Sequence, residues 1–113
     1  MQYATSDVIM KVLKFGGTSV GTVESLKNVK SIVESCNEPV IVVVSALGGF
    51  TDKLIATARM AENADMAYQS ELIAMRERHY NIIDSLVPVQ FRSEVRESVD
   101  ILFSKLSNIY HGI

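Results

Sequence analysis

Lys14-Phe15-Gly16-Gly17-Thr18-Ser19 sets a cation beside two glycines and two hydroxyls at the end of an apolar stretch. Glycines let the backbone turn and approach a ligand closely, so that successive N–H groups can face the oxygens of an anion. Lys14 supplies the matching charge. A second group, Ser45 through Thr51, repeats the theme with Gly48 and Gly49 between two hydroxyls, after the aliphatic run Val40 to Val44. The chemistry that fits is the binding of an anion rich in oxygens, such as a phosphate, by one cation and a set of main-chain donors. Each residue also has a plainer reading. Lys14 can snorkel at a surface, Gly16-Gly17 can form only a tight turn, and Thr18, Ser19 and Thr51 can act as helix caps. Ser45 can simply end a strand. The Walker-type P-loop is a competitor by glycine spacing, Gly16 to Gly21, but Thr22 stands where its lysine belongs, and neither loop carries the Gly-x-Gly-x-x-Gly dinucleotide pattern.

The elements that must position these groups follow from periodicity. Lys11 to Phe15 predicts a short strand. A helix is predicted from Thr22 or Val23, with Val23, Leu26, Val29, Ile32, Val33 and Cys36 on one face. Asn37-Glu38-Pro39 breaks it, and Val40 to Val44 predicts a strand buried on both faces of a parallel sheet. This is a βαβ unit, whose right-handed crossover brings both glycine loops to the carboxyl edge of one sheet and toward one pocket. Beyond it, Thr51 or Asp52 is predicted to cap a helix that ends at Asn63-Ala64-Asp65. A long amphipathic helix follows from Met66 to Leu86, then a break at Val87-Pro88. A last helix carries Phe91, Val95, Val99, Leu102, Leu106 and Ile109 as its apolar stripe, with Gly112 as C-cap. Two strands are few for a parallel sheet, so the chain reads as part of a larger domain.

The string Met10 to Val20 resembles the opening strand and loop of aspartate kinases in the amino-acid kinase family, and Val42 to Asp52 resembles that family's second glycine loop. The close match covers about residues 10–54, while the helical half fits in pattern. The resemblance implies an α/β fold: part of a three-layer αβα amino-acid kinase fold, with parallel strands, glycine loops at their carboxyl ends and a helical region after them. Residues 10–113 are then the N-terminal part of an aspartate kinase catalytic domain, truncated before its Ser-x-Gly-Glu segment, with residues 1–9 a flexible extension. The implied reaction moves the γ-phosphoryl group of ATP, with Mg2+ carried on the nucleotide, to the side-chain carboxylate of L-aspartate. Lys14 would be the catalytic charge. Lys14, Gly16, Gly17, Thr18 and Ser19 would bind the phosphates, and Thr51 and Ser45 the aspartate. The full-length protein would be a homo-oligomer. Tyr110-His111-Gly112-Ile113 is similar to a segment of the bifunctional aspartate kinase–homoserine dehydrogenase subfamily.

Composition narrows the rest. With 11 basic residues dispersed among 13 acidic ones and a net charge of -2, there is no basic stripe for nucleic acid. The longest aliphatic run falls far short of the roughly 20 residues that span a bilayer. Neither a signal peptide nor a disulfide is expected, since Cys36 is the only cysteine, and a cytoplasmic protein is the reading. His79 and His111 are expected to be solvated or capping, Arg76-Glu77-Arg78 to be a solvated face, and no protein metal site is expected. Two rivals stay open: another kinase of the family, acting on glutamate, acetylglutamate, carbamate or a nucleoside monophosphate, and a non-catalytic helical interaction module.

Overall fold

The computed structural model describes residues 9–113, and it divides into two compact units, Met1–Gly48 and Gly49–Ile113. The expected N-terminal arm, residues 1–9, lies outside the described residues except for Ile9.

In the first unit, strand β1 (Lys11–Phe15), helix α1 (Val23–Glu34) and strand β2 (Val40–Val44) follow one another as predicted. The two strands pair in parallel, with Lys11 opposite Val40, Lys14 opposite Val43 and Phe15 opposite Val44. The ladder continues past both ends: the Lys11 N–H donates to Pro39 O at 3.0 Å, and the Ser45 N–H to Phe15 O at 3.1 Å. Because the strands run the same way in register, the loops after Phe15 and after Val44 leave from the same edge. Helix α1 starts at a reciprocal cap, in which the Ser25 N–H donates to Thr22 Oγ1 at 3.1 Å and the Thr22 N–H donates to Ser25 Oγ at 3.0 Å. It closes at Ser35, whose hydroxyl donates to Ile32 O. Cys36 is therefore past the helix end rather than the last member of its apolar face.

Burial in this unit departs from expectation. Val20, at 2% exposure, is its one fully buried residue among those described, and Ile41, Val42, Val43 and Val44 are all at least 40% exposed. The β-branched run has the strand conformation but not the two covered faces, since among the described residues β2 pairs with β1 alone.

The second unit consists of α2 (Phe50–Glu62), α3 (Tyr68–Leu86) and α4 (Val89–His111). Its core is Ala61, Tyr68, Leu72, Met75 and Tyr110, flanked by Phe50, Leu54, Ala58, Met60, Phe103 and Leu106. The α2–α3 corner turns through Ala64 at φ 57, a left-handed position, and Asp65 Oδ1 then accepts the Ala67 N–H at 3.0 Å. At the α3–α4 joint the Arg92 Nε–H donates to Val87 O at 2.7 Å, with Pro88 as the N-cap of α4.

Two predicted features of this unit are corrected. Helix α2 is capped by Gly49 at φ 76, so Thr51 and Asp52 lie within its first turn. On α4 the side turned to the core carries Phe103, Leu106 and Tyr110, whereas Phe91, Leu102 and Ile109 are more than half exposed. The helix is apolar along two stripes, and α2 and α3 cover only one. Gly112 is the C-cap as predicted, in ordinary right-handed geometry.

Candidate nucleotide-phosphate site

Strand alternation sets the direction of Lys14. It shares a sheet face with Val12 and, across the ladder, with Ile41 and Val43, while Lys11, Leu13 and Phe15 take the other. The two lysines of β1 differ in company. Lys11 Nζ stands 2.8 Å from Glu38 Oε1, and the hydrogen bond and charge of Glu38 raise its pKa. Lys14, one residue before the end of β1, is exposed and has no ion pair among the described residues.

The chain after β1 folds back on itself. The Ser19 N–H donates to Gly16 O at 3.0 Å and the Val20 N–H to Gly17 O at 3.3 Å. These bonds leave the N–H groups of Gly17 and Thr18 with no acceptor among the described residues, and the same holds for Ala46, Leu47 and Gly48 in the second loop. The two loops meet backbone to backbone. A Cβ on Gly48 would lie 2.8 Å from Gly17 O and 3.3 Å from the Gly21 Cα, and one on Gly17 would lie 3.8 Å from Ser45 Oγ. Thus Gly16, Gly17 and Ser45 are brought into one neighbourhood, which displays main-chain donors and no carboxylate. Such a concave set of amides is a general anion-binding device.

Thr18 and Ser19 sit differently. They line a recess of about 280 Å³ against α1, with Phe15, Ser25, Asn28 and Val29, on the side of the sheet away from Lys14. The Ser45 hydroxyl donates to Ala46 O at 2.7 Å, which leaves its oxygen as an acceptor only. Thr51 belongs to the second unit, where it is exposed, and its hydroxyl neither caps α2 nor has a partner among the described residues. Sequence reasoning did not single out Gly21 and Gly48 as close-approach positions. The signal was present in their placement, one in each loop.

His79 was expected to be solvated or capping, and it is neither. Its Nδ1 donates to Met75 O at 2.9 Å, and its ring meets Phe50 at 5.0 Å and Phe103 at 5.4 Å, both edge to face. Arg76 likewise is half-buried rather than part of a solvated face.

A family model described as "Amino acid kinase family" matches residues 10–97. A chloroplastic bifunctional aspartokinase/homoserine dehydrogenase of Daucus carota is 35% identical over 102 residues, 86% of this chain and 11% of that protein. An aspartokinase of Chlamydia trachomatis is 41% identical over 75 residues, 66% of this chain and 16% of its own length. An aspartokinase of Pseudomonas aeruginosa is 52% identical over 50 residues, 42% of this chain and 12% of that protein. The chain thus spans between 11% and 16% of the length of these curated relatives.

Proposed function

Because the chain belongs to the amino acid kinase family, we propose that it is the N-terminal part of an aspartate kinase catalytic domain. In the proposed reaction a side-chain carboxylate oxygen of L-aspartate attacks the γ-phosphorus of ATP. The bond to the β-phosphate oxygen breaks, and 4-phospho-L-aspartate and ADP leave, with no proton transferred. This is the first step toward lysine, threonine and methionine. The observation that carries the reading is the pairing of an uncommitted cation, Lys14, with the amide-bearing Gly16-Gly17-Thr18 turn.

On this reading Lys14 offsets charge on the β- and γ-phosphates, and the main chain of Gly16, Gly17 and Thr18 orients them. Ser19, which lies against α1, would have to turn out of that recess to offer its hydroxyl to the γ-phosphate, and the family resemblance assigns Ser45 and Thr51 to the aspartate. The close approach of Gly17 and Gly48 holds the two loops backbone to backbone, which supports the reading by keeping their free amides in one neighbourhood. The two loops of the first unit contribute amides and hydroxyls but no carboxylate, which suits Mg2+ arriving bound to ATP. Bound there, Mg2+ lowers the repulsion between the phosphates and the incoming carboxylate. The greater span of the bifunctional relative favours the aspartokinase–homoserine dehydrogenase subfamily. Among the described residues no helix is long and apolar enough to cross a membrane. A cytoplasmic homo-oligomer completes the proposal.

The experiment is a hydroxamate assay for aspartyl phosphate, run on the 113-residue chain and on a chain extended through the rest of the kinase domain. The short chain is expected to be inactive and the extended one active. Lys14→Ala in the extended chain should lower kcat/KM by about a hundredfold or more, as loss of one preorganised charge contact does. Full activity of that variant would overturn the role given to Lys14.

A further inference from the structure

We propose that the groove between α3 and α4 binds a small organic carboxylate through the Arg76 guanidinium. The groove lies wholly within the second unit and encloses about 470 Å³, inside the range of about 300–1,000 Å³ common for ligand pockets. Its polar lining is Gln69 and Arg76 from α3 with Ser104, Ser107 and Asn108 from α4. All five can donate hydrogen bonds and none is acidic, so the lining is positive and rich in donors.

Arg76 is the unusual member. Its Nε is sealed from solvent without a hydrogen-bond partner, and its guanidinium makes no ion pair among the described residues. Arg96 shows the contrast. Both guanidinium groups lie over the ring of Tyr80, at 5.7 Å for Arg76 and 4.5 Å for Arg96, yet Arg96 grips both oxygens of Asp84 at 2.8 and 2.7 Å. Arg76 has the same aromatic support and no carboxylate. A partly desolvated guanidinium gains more from an anion than a hydrated one does, because the lower local dielectric strengthens the pair.

The remaining lining says which anion. Leu72, Ile73 and Phe103 add an apolar wall, which suits a ligand with a hydrocarbon body. The planar fork of arginine matches a carboxylate in two parallel hydrogen bonds. This site involves none of the residues assigned to phosphoryl transfer, so it stands or falls independently of that reading.

The test uses the 113-residue chain with phenylacetate as probe, followed by saturation-transfer NMR and calorimetry. Neutral 2-phenylethanol and inorganic phosphate serve as comparators. Saturable millimolar or tighter binding of phenylacetate is expected, with both comparators about tenfold weaker. Arg76→Gln should weaken it about tenfold, and so should Asn108→Asp, which keeps the size of the side chain and sets a like charge against the ligand. Circular-dichroism melts identify the folded variants, and either one suffices. Absence of saturable phenylacetate binding, phosphate binding as tightly, or a folded variant with unchanged affinity would each overturn the assignment.

Discussion

The carbonyl oxygen of Gly17 occupies the space that a side chain on Gly48 would need, 2.8 Å from an ideal Cβ. Both partners are main chain, so neither can rotate away. Gly48→Ala is therefore expected to destabilise the first unit by about 1–3 kcal/mol through overpacking. Gly16→Ala, which would meet nothing within 4 Å, should stay within about 0.5 kcal/mol. Urea denaturation of the two variants checks the contrast, and equal midpoints would count against the loop contact.

Thr51 has no capping duty, because Gly49 opens α2 in the left-handed region. Thr51→Val should then leave the melting temperature unchanged. If Thr51 holds the acceptor, the same variant in the extended enzyme should raise KM for aspartate about tenfold while leaving KM for ATP alone. A drop in melting temperature without a change in KM would return Thr51 to a structural role.

Tyr110 fastens α4 to α2. Its buried hydroxyl donates to Leu54 O at 2.9 Å and accepts from Thr57 Oγ1 at 2.9 Å, with Lys53 O, 2.8 Å from Thr57 Oγ1, as the alternative acceptor of the threonine proton. Tyr110→Phe should cost about 1–2 kcal/mol, because Leu54 O loses one donor while the ring still packs. Thr57→Val should cost a similar amount, and the double variant should cost less than the sum because the two hydroxyls share a bond. Additive losses would show that the hydroxyls act separately.

Alkaline pH should release the Lys11–Glu38 pair. The folded pKa of Lys11 is raised above its ordinary value of 10.5 by Glu38. The pair's contribution is therefore complete below that value and fades as pH climbs through the higher folded one. Both side chains are at least partly exposed, so the effect is small. Melting temperatures of wild type and Lys11→Met, measured from neutral pH to about 11.5, should converge at the alkaline end. A difference that stays constant with pH would exclude the pair as its source.

Local signals were legible wherever the chain decides locally. The bounds of β1 and β2, the start of α1 at Thr22 and the break at Val87-Pro88 follow from β-branching, capping and proline. What periodicity could not decide was which of two apolar stripes on α4 meets α2 and α3. Tyr110 was passed over because its hydroxyl needed a partner that only tertiary packing supplies, the Leu54 carbonyl. The cap of α2 was misplaced for a related reason: a glycine at φ 76 turns the backbone by itself, so the neighbouring hydroxyl was not required. In the site, Lys14 and the glycine turn were readable as an anion-binding string. The placing of Thr18 and Ser19 on the α1 side of the sheet depends on how the turn folds back, which residue type does not encode.

The paired strands carry one more implication. Among the described residues the ladder has two strands and no interior one, so β1 and β2 each offer a row of amide and carbonyl groups that no other described strand claims, and Val12, Ile41 and Val43 stand exposed beside them. Such margins are templates on which another extended peptide can zip. Handled by itself at high concentration, this polypeptide should therefore clump through strand-to-strand annealing, and shielding those margins would govern its solubility more than its helices do.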